Sequence, residues 1–94
     1  MSSQIRKKLI IKGDVQGVGY RWFATRSAMK HEVSGYVMNL PDGNVEVVLE
    51  GEEGMVNDCI KELRTGPPHA SISGIEVTDG ECTGEFLNFG VKYY

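Results

Sequence analysis

The sequence predicts an α+β fold in which two helices pack on one face of an antiparallel sheet. Two segments show the i, i+3, i+4 spacing of apolar residues that gives a helix its buried stripe. Other segments are rich in β-branched residues, and Pro-Asp-Gly separates two of them as a turn would. Residues 1–94 are expected to form one domain, because no repeat, linker or low-complexity segment interrupts them.

The chain is expected to begin with a strand and a helix. Residues 5–12 alternate imperfectly between apolar and polar side chains, which places Ile5, Leu9 and Ile11 on one face of a strand. Residues 20–31 have helical spacing. Their core-facing stripe comprises Tyr20, Phe23, Ala24, Ser27 and Ala28.

Two strands follow, over residues 33–40 and 44–50. The tripeptide Pro41-Asp42-Gly43 between them is typical of a turn, since proline presets φ and glycine adopts positive φ. Alternation in the second of these strands separates an apolar face from a face with two carboxylates. The apolar face comprises Val45, Val47 and Leu49, and the carboxylates are Glu46 and Glu50.

A second helix is expected over residues 52–65, followed by strands around residues 71–78 and 85–94. The helix buries Val56, Ile60 and Leu63, with Cys59 at the edge of this stripe, and Gly66-Pro67-Pro68 ends it. The order β-α-β-β-α-β, with a further C-terminal strand, predicts a ferredoxin-like α/β sandwich. Because this fold carries many unrelated activities, function has to be argued from particular side chains.

A glycine-rich segment, GDVQGVGYR at residues 13–21, lies between the first strand and the first helix. Unpaired amides and the helix dipole favour an anion there, and glycines let the backbone approach it closely. Arg21 adds a planar fork suited to two phosphate oxygens. The segment lacks the Lys-Ser/Thr of a nucleotide P-loop, and Trp22 replaces the third glycine of a dinucleotide fingerprint. It therefore predicts a phosphate-binding loop, and the alternative is a tight turn beside a solvated arginine.

A second segment, GYVMNLPDGNVEVVLEG at residues 35–51, completes a resemblance to the acylphosphatase family. The first family signature resembles Gly13-x-Val15-Gln16-Gly17-Val18-Gly19-Tyr20-Arg21. The second resembles Gly35-Tyr36-Val37-x-Asn39-x-x-x-Gly43-x-Val45, ending at Gly51. Both occur in the family's order and separation, and the expected element order agrees over essentially the whole chain.

The resemblance implies an enzyme that hydrolyses the carboxyl–phosphate anhydride of small acyl phosphates, with inorganic phosphate as product and inhibitor. It implies that Arg21 binds the phosphoryl group and that Asn39 orients the attacking water. Neither a metal ion nor another cofactor is implied, and no covalent enzyme intermediate. The backbone amides that the resemblance assigns to phosphate binding are those of Val15, Gln16, Gly17, Val18, Gly19 and Tyr20.

Three positions qualify the resemblance. Met38 stands where lysine, arginine or glutamine is common, and Leu40 stands where threonine is frequent. We expect these differences to affect rate or substrate affinity rather than the class of reaction. In some family members the terminal carboxylate contacts the arginine, a role that would fall to Tyr94. The alternative for Tyr94 is an aromatic side chain of the last strand.

Charge and composition argue against several other classes of function. The net charge is −3, and no aromatic residue is expected on the outer face of the first and third strands, where RNA-recognition domains stack bases. The longest apolar run near the N-terminus, residues 9–11, is too short for a secretory or membrane segment. His31 and His69 have no metal-ligand spacing, and Cys59 and Cys82 are expected to be free thiols. We expect a cytoplasmic monomer.

One alternative function stays open at this point. A domain of this kind could bind acyl phosphate or phosphate as a sensor without turning it over. Acylphosphatase-like domains also occur within larger carbamoyl-transfer proteins. Release of product separates an enzyme from a binding module.

Overall fold

The computed structural model describes residues 3–93. Within them the chain forms five strands and two helices. In chain order they are β1 (Gln4–Asp14), α1 (Tyr20–Lys30), β2 (Ser34–Asn39), β3 (Val45–Glu52), α2 (Glu53–Thr65), β4 (Ser71–Gly80) and β5 (Phe89–Val91). The predicted order is confirmed. Six of the seven elements begin and end within two residues of the prediction, whereas β5 covers three residues of the expected 85–94.

The strands form one sheet in the order β4-β1-β3-β2-β5. The three pairs among β1 to β4 are antiparallel, as expected. The fifth strand, β5, pairs in parallel with β2, so the sheet is mixed. The connection explains the difference. The chain leaves β4 and enters β5 at the same end of the sheet but at opposite edges, so β5 runs opposite to β4 and in the direction of β2.

Both helices pack against the face of the sheet that carries the predicted apolar alternation. The sheet contributes fully buried side chains such as Leu9, Ile11 and Leu49. The predicted helix stripes face the core: α1 buries Tyr20, Ala24, Ser27 and Ala28 while Phe23 is only partly buried, and α2 buries Val56, Cys59, Ile60 and Leu63. Cys59 is fully buried rather than at the edge of its stripe, whereas Cys82 is exposed, and both thiols are free. Within residues 3–93, neither helix has the length and apolar character needed to cross a membrane.

The opposite face of the sheet is covered by ion pairs and by residues 81–88, which connect β4 to β5. Arg6 pairs with Glu50 at 2.6 Å, and Lys8 pairs with Glu46 at 3.5 Å. Glu50 is 3% exposed, and its carboxylate also accepts hydrogen bonds from the amides of Thr83 (3.0 Å) and Gly84 (3.1 Å). Burial alone would raise the pKa of Glu50, but these amides and the Arg6 guanidinium outweigh it and lower the pKa to about 2.

Candidate active site

The predicted phosphate loop connects β1 to α1, and the structure shows where it begins. Gly13 belongs to β1, at a shift of register against β4, and a Cβ there would lie 2.1 Å from the carbonyl oxygen of Ser71. The loop proper starts at Val15, whose side chain is buried in the core. Gly17 and Gly19 have φ of +75° and +80°, in the left-handed region that side chains with a Cβ disfavour. These two glycines allow the chain to turn sharply into the helix.

The first turn of α1 leaves its amides available for a ligand. The first bond of the helix runs from the amide of Phe23 to the carbonyl of Gly19, at 3.0 Å. Within residues 3–93, the preceding amides of Tyr20, Arg21 and Trp22 donate to no carbonyl or side chain. The helix has neither a side-chain cap nor an acidic residue in this turn. Unpaired amides at the positive end of the helix dipole favour binding of an anion.

The loop, Arg21 and Asn39 meet in one small pocket. Asn39 is the last residue of β2 and pairs with Val45 of β3. The pocket has a volume of about 180 Å³, below the roughly 300–1,000 Å³ typical of sites for drug-sized ligands. Its walls are formed by Val15, Gly17, Gly19, Tyr20, Arg21, Trp22 and Asn39. We call it the anion pocket; residues far apart in the sequence thus share a cavity of a size that suits a phosphoryl group.

Two of the predicted loop residues do not line the anion pocket. Val18 packs partly against the hydrophobic core. Gln16 instead directs its side chain to the turn between β2 and β3, where Nε2 donates to the carbonyls of Leu40 (2.7 Å) and Asn44 (2.8 Å). Since Asn39 precedes Leu40, these bonds fix the loop relative to Asn39. The predicted role of Gln16 was limited to its amide, because no local sequence pattern indicates side-chain bonds to residues 24 and 28 positions away.

Tyr20 contributes its backbone to the anion pocket, because its ring lies in the core. The ring is 1% exposed and its hydroxyl donates to the carbonyl of Leu63 at 2.8 Å. This bond ties the first turn of α1 to α2. The start of the helix is thereby held in place by the core rather than by surface contacts.

Arg21 is half-buried beside the C-terminal segment. Its guanidinium carbon lies 5.6 Å from the centroid of the Tyr93 ring, at a distance where a cation is attracted by the ring face. Within residues 3–93, Arg21 forms no ion pair. Its positive charge is therefore not neutralised by a described carboxylate. Both alternatives for Tyr94, the carboxylate contact with Arg21 and the aromatic side chain of the last strand, lie outside the described residues.

The two unusual signature residues lie outside the walls of the anion pocket. Met38 lies on the face of the sheet away from the helices, opposite Glu46, and is buried at 9% exposure. Leu40 is half-exposed, and its backbone takes part in the β2–β3 turn, where its amide donates a hydrogen bond to the carbonyl of Asn44 (2.9 Å). Within the described part of the chain, no group of three His, Cys, Asp or Glu side chains is arranged to hold a metal ion.

A family model described as acylphosphatase matches residues 7–91, a range that includes the loop, Arg21 and Asn39. The chain belongs to the acylphosphatase family. A curated acylphosphatase from Caldivirga maquilingensis is 46% identical over 94 residues, covering 99% of each chain. Another, from Geotalea uraniireducens, is 47% identical and covers 96% of this chain and 99% of its own. The predicted family is thus confirmed.

The fold agrees with solved acylphosphatase structures. The crystal structure of acylphosphatase from Bacillus subtilis superposes with a TM-score of 0.91 at 31% identity, over 95% of this chain and 99% of that one. The ferredoxin-like prediction is therefore confirmed, with the parallel β5 as the one difference in the sheet.

Proposed function

We propose that this chain hydrolyses the carboxyl–phosphate anhydride bond of small acyl phosphates, giving a carboxylate and inorganic phosphate. The observation that carries the proposal is the anion pocket, in which free helix amides, an arginine without a described ion-pair partner and Asn39 face one cavity. Membership of the acylphosphatase family supports the same activity.

The phosphoryl group binds to the loop amides, here those of residues 15–20, and to the Arg21 guanidinium. Phosphoryl transfer depends mainly on positioning and on stabilising charge that spreads over the non-bridging oxygens. A planar guanidinium can donate to two of these oxygens at once. Each such charge-assisted bond contributes roughly 1.5–3 kcal/mol. Gly17 and Gly19 keep this side of the pocket free of Cβ atoms.

Asn39 holds the attacking water on the side of the pocket opposite the leaving group. Its amide carbonyl accepts a hydrogen bond from the water, whose oxygen forms the new bond to phosphorus. The bond from phosphorus to the carboxyl oxygen breaks, and its electron pair leaves with the carboxylate. A phosphoryl oxygen takes the proton of the water. Since a carboxylate is a good leaving group, no strong acid is needed, and we propose that the reaction requires no metal ion.

Hydrolysis of benzoyl phosphate, followed by its ultraviolet absorbance in the presence of EDTA, tests the proposal. Arg21→Ala should abolish turnover and inhibition by phosphate together, because both use the same anion pocket. Arg64→Ala is the matched control: Arg64 is exposed, lies in the last turn of α2 and forms no ion pair within residues 3–93. A variant lacking Arg21 that phosphate still inhibits normally would refute the assigned role of this residue.

Asn39→Ala separates water positioning from phosphate binding. We expect kcat to fall by about 10²–10³, the usual effect of losing one preorganised polar group, while phosphate inhibits as in the wild type. Wild-type turnover in this variant would remove Asn39 from the mechanism. If the wild-type chain binds phosphate but releases no product, it is a binding module instead.

A further inference from the structure

A second pocket adjoins the anion pocket, and Trp22 forms a wall of both. The second pocket has a volume of about 200 Å³ and is lined by Trp22, Phe23, Arg26, Ser27, Lys30 and Glu62. The Trp22 side chain is 64% exposed and follows Arg21 directly in α1. A ligand whose phosphoryl group occupies the anion pocket can therefore extend across the indole into the second one. We call this second cavity the acyl pocket.

Arg26 supplies the acyl pocket with a positive charge. It lies one helical turn beyond Trp22, and its guanidinium carbon is 4.8 Å from the centroid of the indole. The contact with the indole face holds the guanidinium beside the pocket that both residues line. Within the described residues Arg26 forms no ion pair. Its charge is available to a ligand.

The other charges of the acyl pocket are already paired with one another. The Glu62 carboxylate accepts hydrogen bonds from Lys30 Nζ at 2.7 Å and from Ser27 Oγ at 3.1 Å, and it lies 2.8 Å from His31 Nε2. Arg26 therefore offers a positive charge that is not paired within the described residues. The Glu62 carboxylate repels anions and so limits how much negative charge the pocket can accept. This balance favours a singly charged carboxylate over a doubly charged phosphate.

We propose that the acyl pocket binds the acyl part of the substrate and that Arg26 selects acyl phosphates with a second, distal carboxylate. The inference rests on the proposed function. The carbon chain of such a substrate lies against Trp22, and its terminal carboxylate receives a two-point contact from the guanidinium. Arg26 is five residues beyond Arg21, a rise of about 7.5 Å along the helix axis and a rotation of about 140° around it, so a substrate that reaches both charges has to cross the indole of Trp22.

Succinyl phosphate and butyryl phosphate test this selection, because they have the same chain length and differ in the terminal carboxylate. We expect wild-type kcat/KM to be about tenfold higher for succinyl phosphate, and Arg26→Gln to lower the ratio of the two values about tenfold. Butyryl phosphate carries the same phosphoryl charge, so a general loss of electrostatic attraction cancels in the ratio. Arg64→Gln, which removes an exposed arginine from α2, should keep the wild-type ratio.

Direct binding supplies a readout that does not depend on turnover. Trp22 is the only tryptophan of the chain, so its fluorescence reports ligands in either pocket. We expect succinyl phosphonate, which is not hydrolysed, to bind about tenfold more tightly than butyryl phosphonate, and Arg26→Gln to remove the difference.

An unchanged preference in Arg26→Gln, by kinetics or by binding, would overturn the acyl pocket while leaving acyl phosphate hydrolysis intact. If neither acyl phosphate is hydrolysed by the wild type, the proposed function fails. The fluorescence titrations of the two phosphonates then still decide the inference about Arg26.

Discussion

Gln16 connects the loop to the turn that follows Asn39 through two hydrogen bonds of one side-chain amide. Gln16→Ala removes both donors and frees the loop to move relative to Asn39. We expect the free energy of unfolding to fall by about 1–3 kcal/mol, because two part-buried carbonyls lose a partner. We also expect kcat to fall by up to ~10²-fold, since small displacements of reacting groups are costly.

Two measurements separate the stabilising role of Gln16 from its positioning role. Urea unfolding gives the stability, and the kinetics show whether kcat falls while inhibition by phosphate persists. Gln4→Ala, at the exposed start of β1, is the matched control. If Gln16→Ala lowers stability but leaves kcat unchanged at a temperature where it is folded, Gln16 does not position Asn39.

At the scale of single elements, Glu50 attaches residues 81–88 to the sheet. Its carboxylate accepts from the amides of Thr83 and Gly84 and pairs with Arg6. Glu50→Gln removes the charge, and we expect hydrogen exchange at the Thr83 and Gly84 amides to accelerate at least tenfold, because charge-assisted bonds are roughly twice as strong as neutral ones. Amides in the centre of β3 should stay protected. Equal exchange in the variant and the wild type would show that other contacts hold this segment.

The elements differ in how far the sequence could predict them. Leu9 and Ile11 follow strand alternation and the α1 stripe follows helical spacing, so local pattern was enough to place them. The direction of β5 depends on where the chain crosses the sheet, and no local pattern contains that information. Alternation places Glu50 on the polar face of its strand, but only the register that sets it opposite Arg6 shows its pairing.

The site shows the same division. The two signature segments predicted a shared site for the loop, Arg21 and Asn39, and the structure places Arg21, Asn39 and part of the loop around one pocket, while their roles stay predictions. The side-chain bonds of Gln16 could not be predicted, because they join residues 24 and 28 positions away. Arg26 stacks on a tryptophan one turn earlier, a spacing visible in the sequence, but the pocket beside it requires α2 as its second wall.

At the scale of the whole molecule, two carboxylates make the free energy of unfolding depend on pH in the acidic range. Hydrogen bonds from Lys30 and His31 lower the pKa of Glu62 to about 2, and Glu50 has a similarly low pKa. A carboxylate whose pKa is lower in the folded state than in the unfolded state stabilises the fold at pH values above its pKa in the unfolded state. That contribution is present above pH 4.5 and is lost as the pH falls through about 2.

Urea unfolding at a series of pH values measures this dependence. We expect the free energy of unfolding to decrease steadily from pH 4.5 to pH 2 and the decrease to be smaller in Glu50→Gln and in Glu62→Gln. Glu53→Gln, at the exposed start of α2, should keep the wild-type slope. If the slopes of all three variants match that of the wild type, these two carboxylates do not carry the acid sensitivity.

The contrast between Cys59 and Cys82 has a kinetic consequence. Burial raises the pKa of Cys59 to about 11, and its sulfur lies against Ser27 between the two helices, whereas Cys82 is exposed. A thiol reagent should modify Cys82 in the folded protein and reach Cys59 only when α2 separates from α1. In Cys82→Ser, the single remaining reaction should be slow and should accelerate with urea, and a rapid reaction there would contradict this. A label on Cys59 therefore identifies the chains that have unfolded at least once in the presence of the reagent.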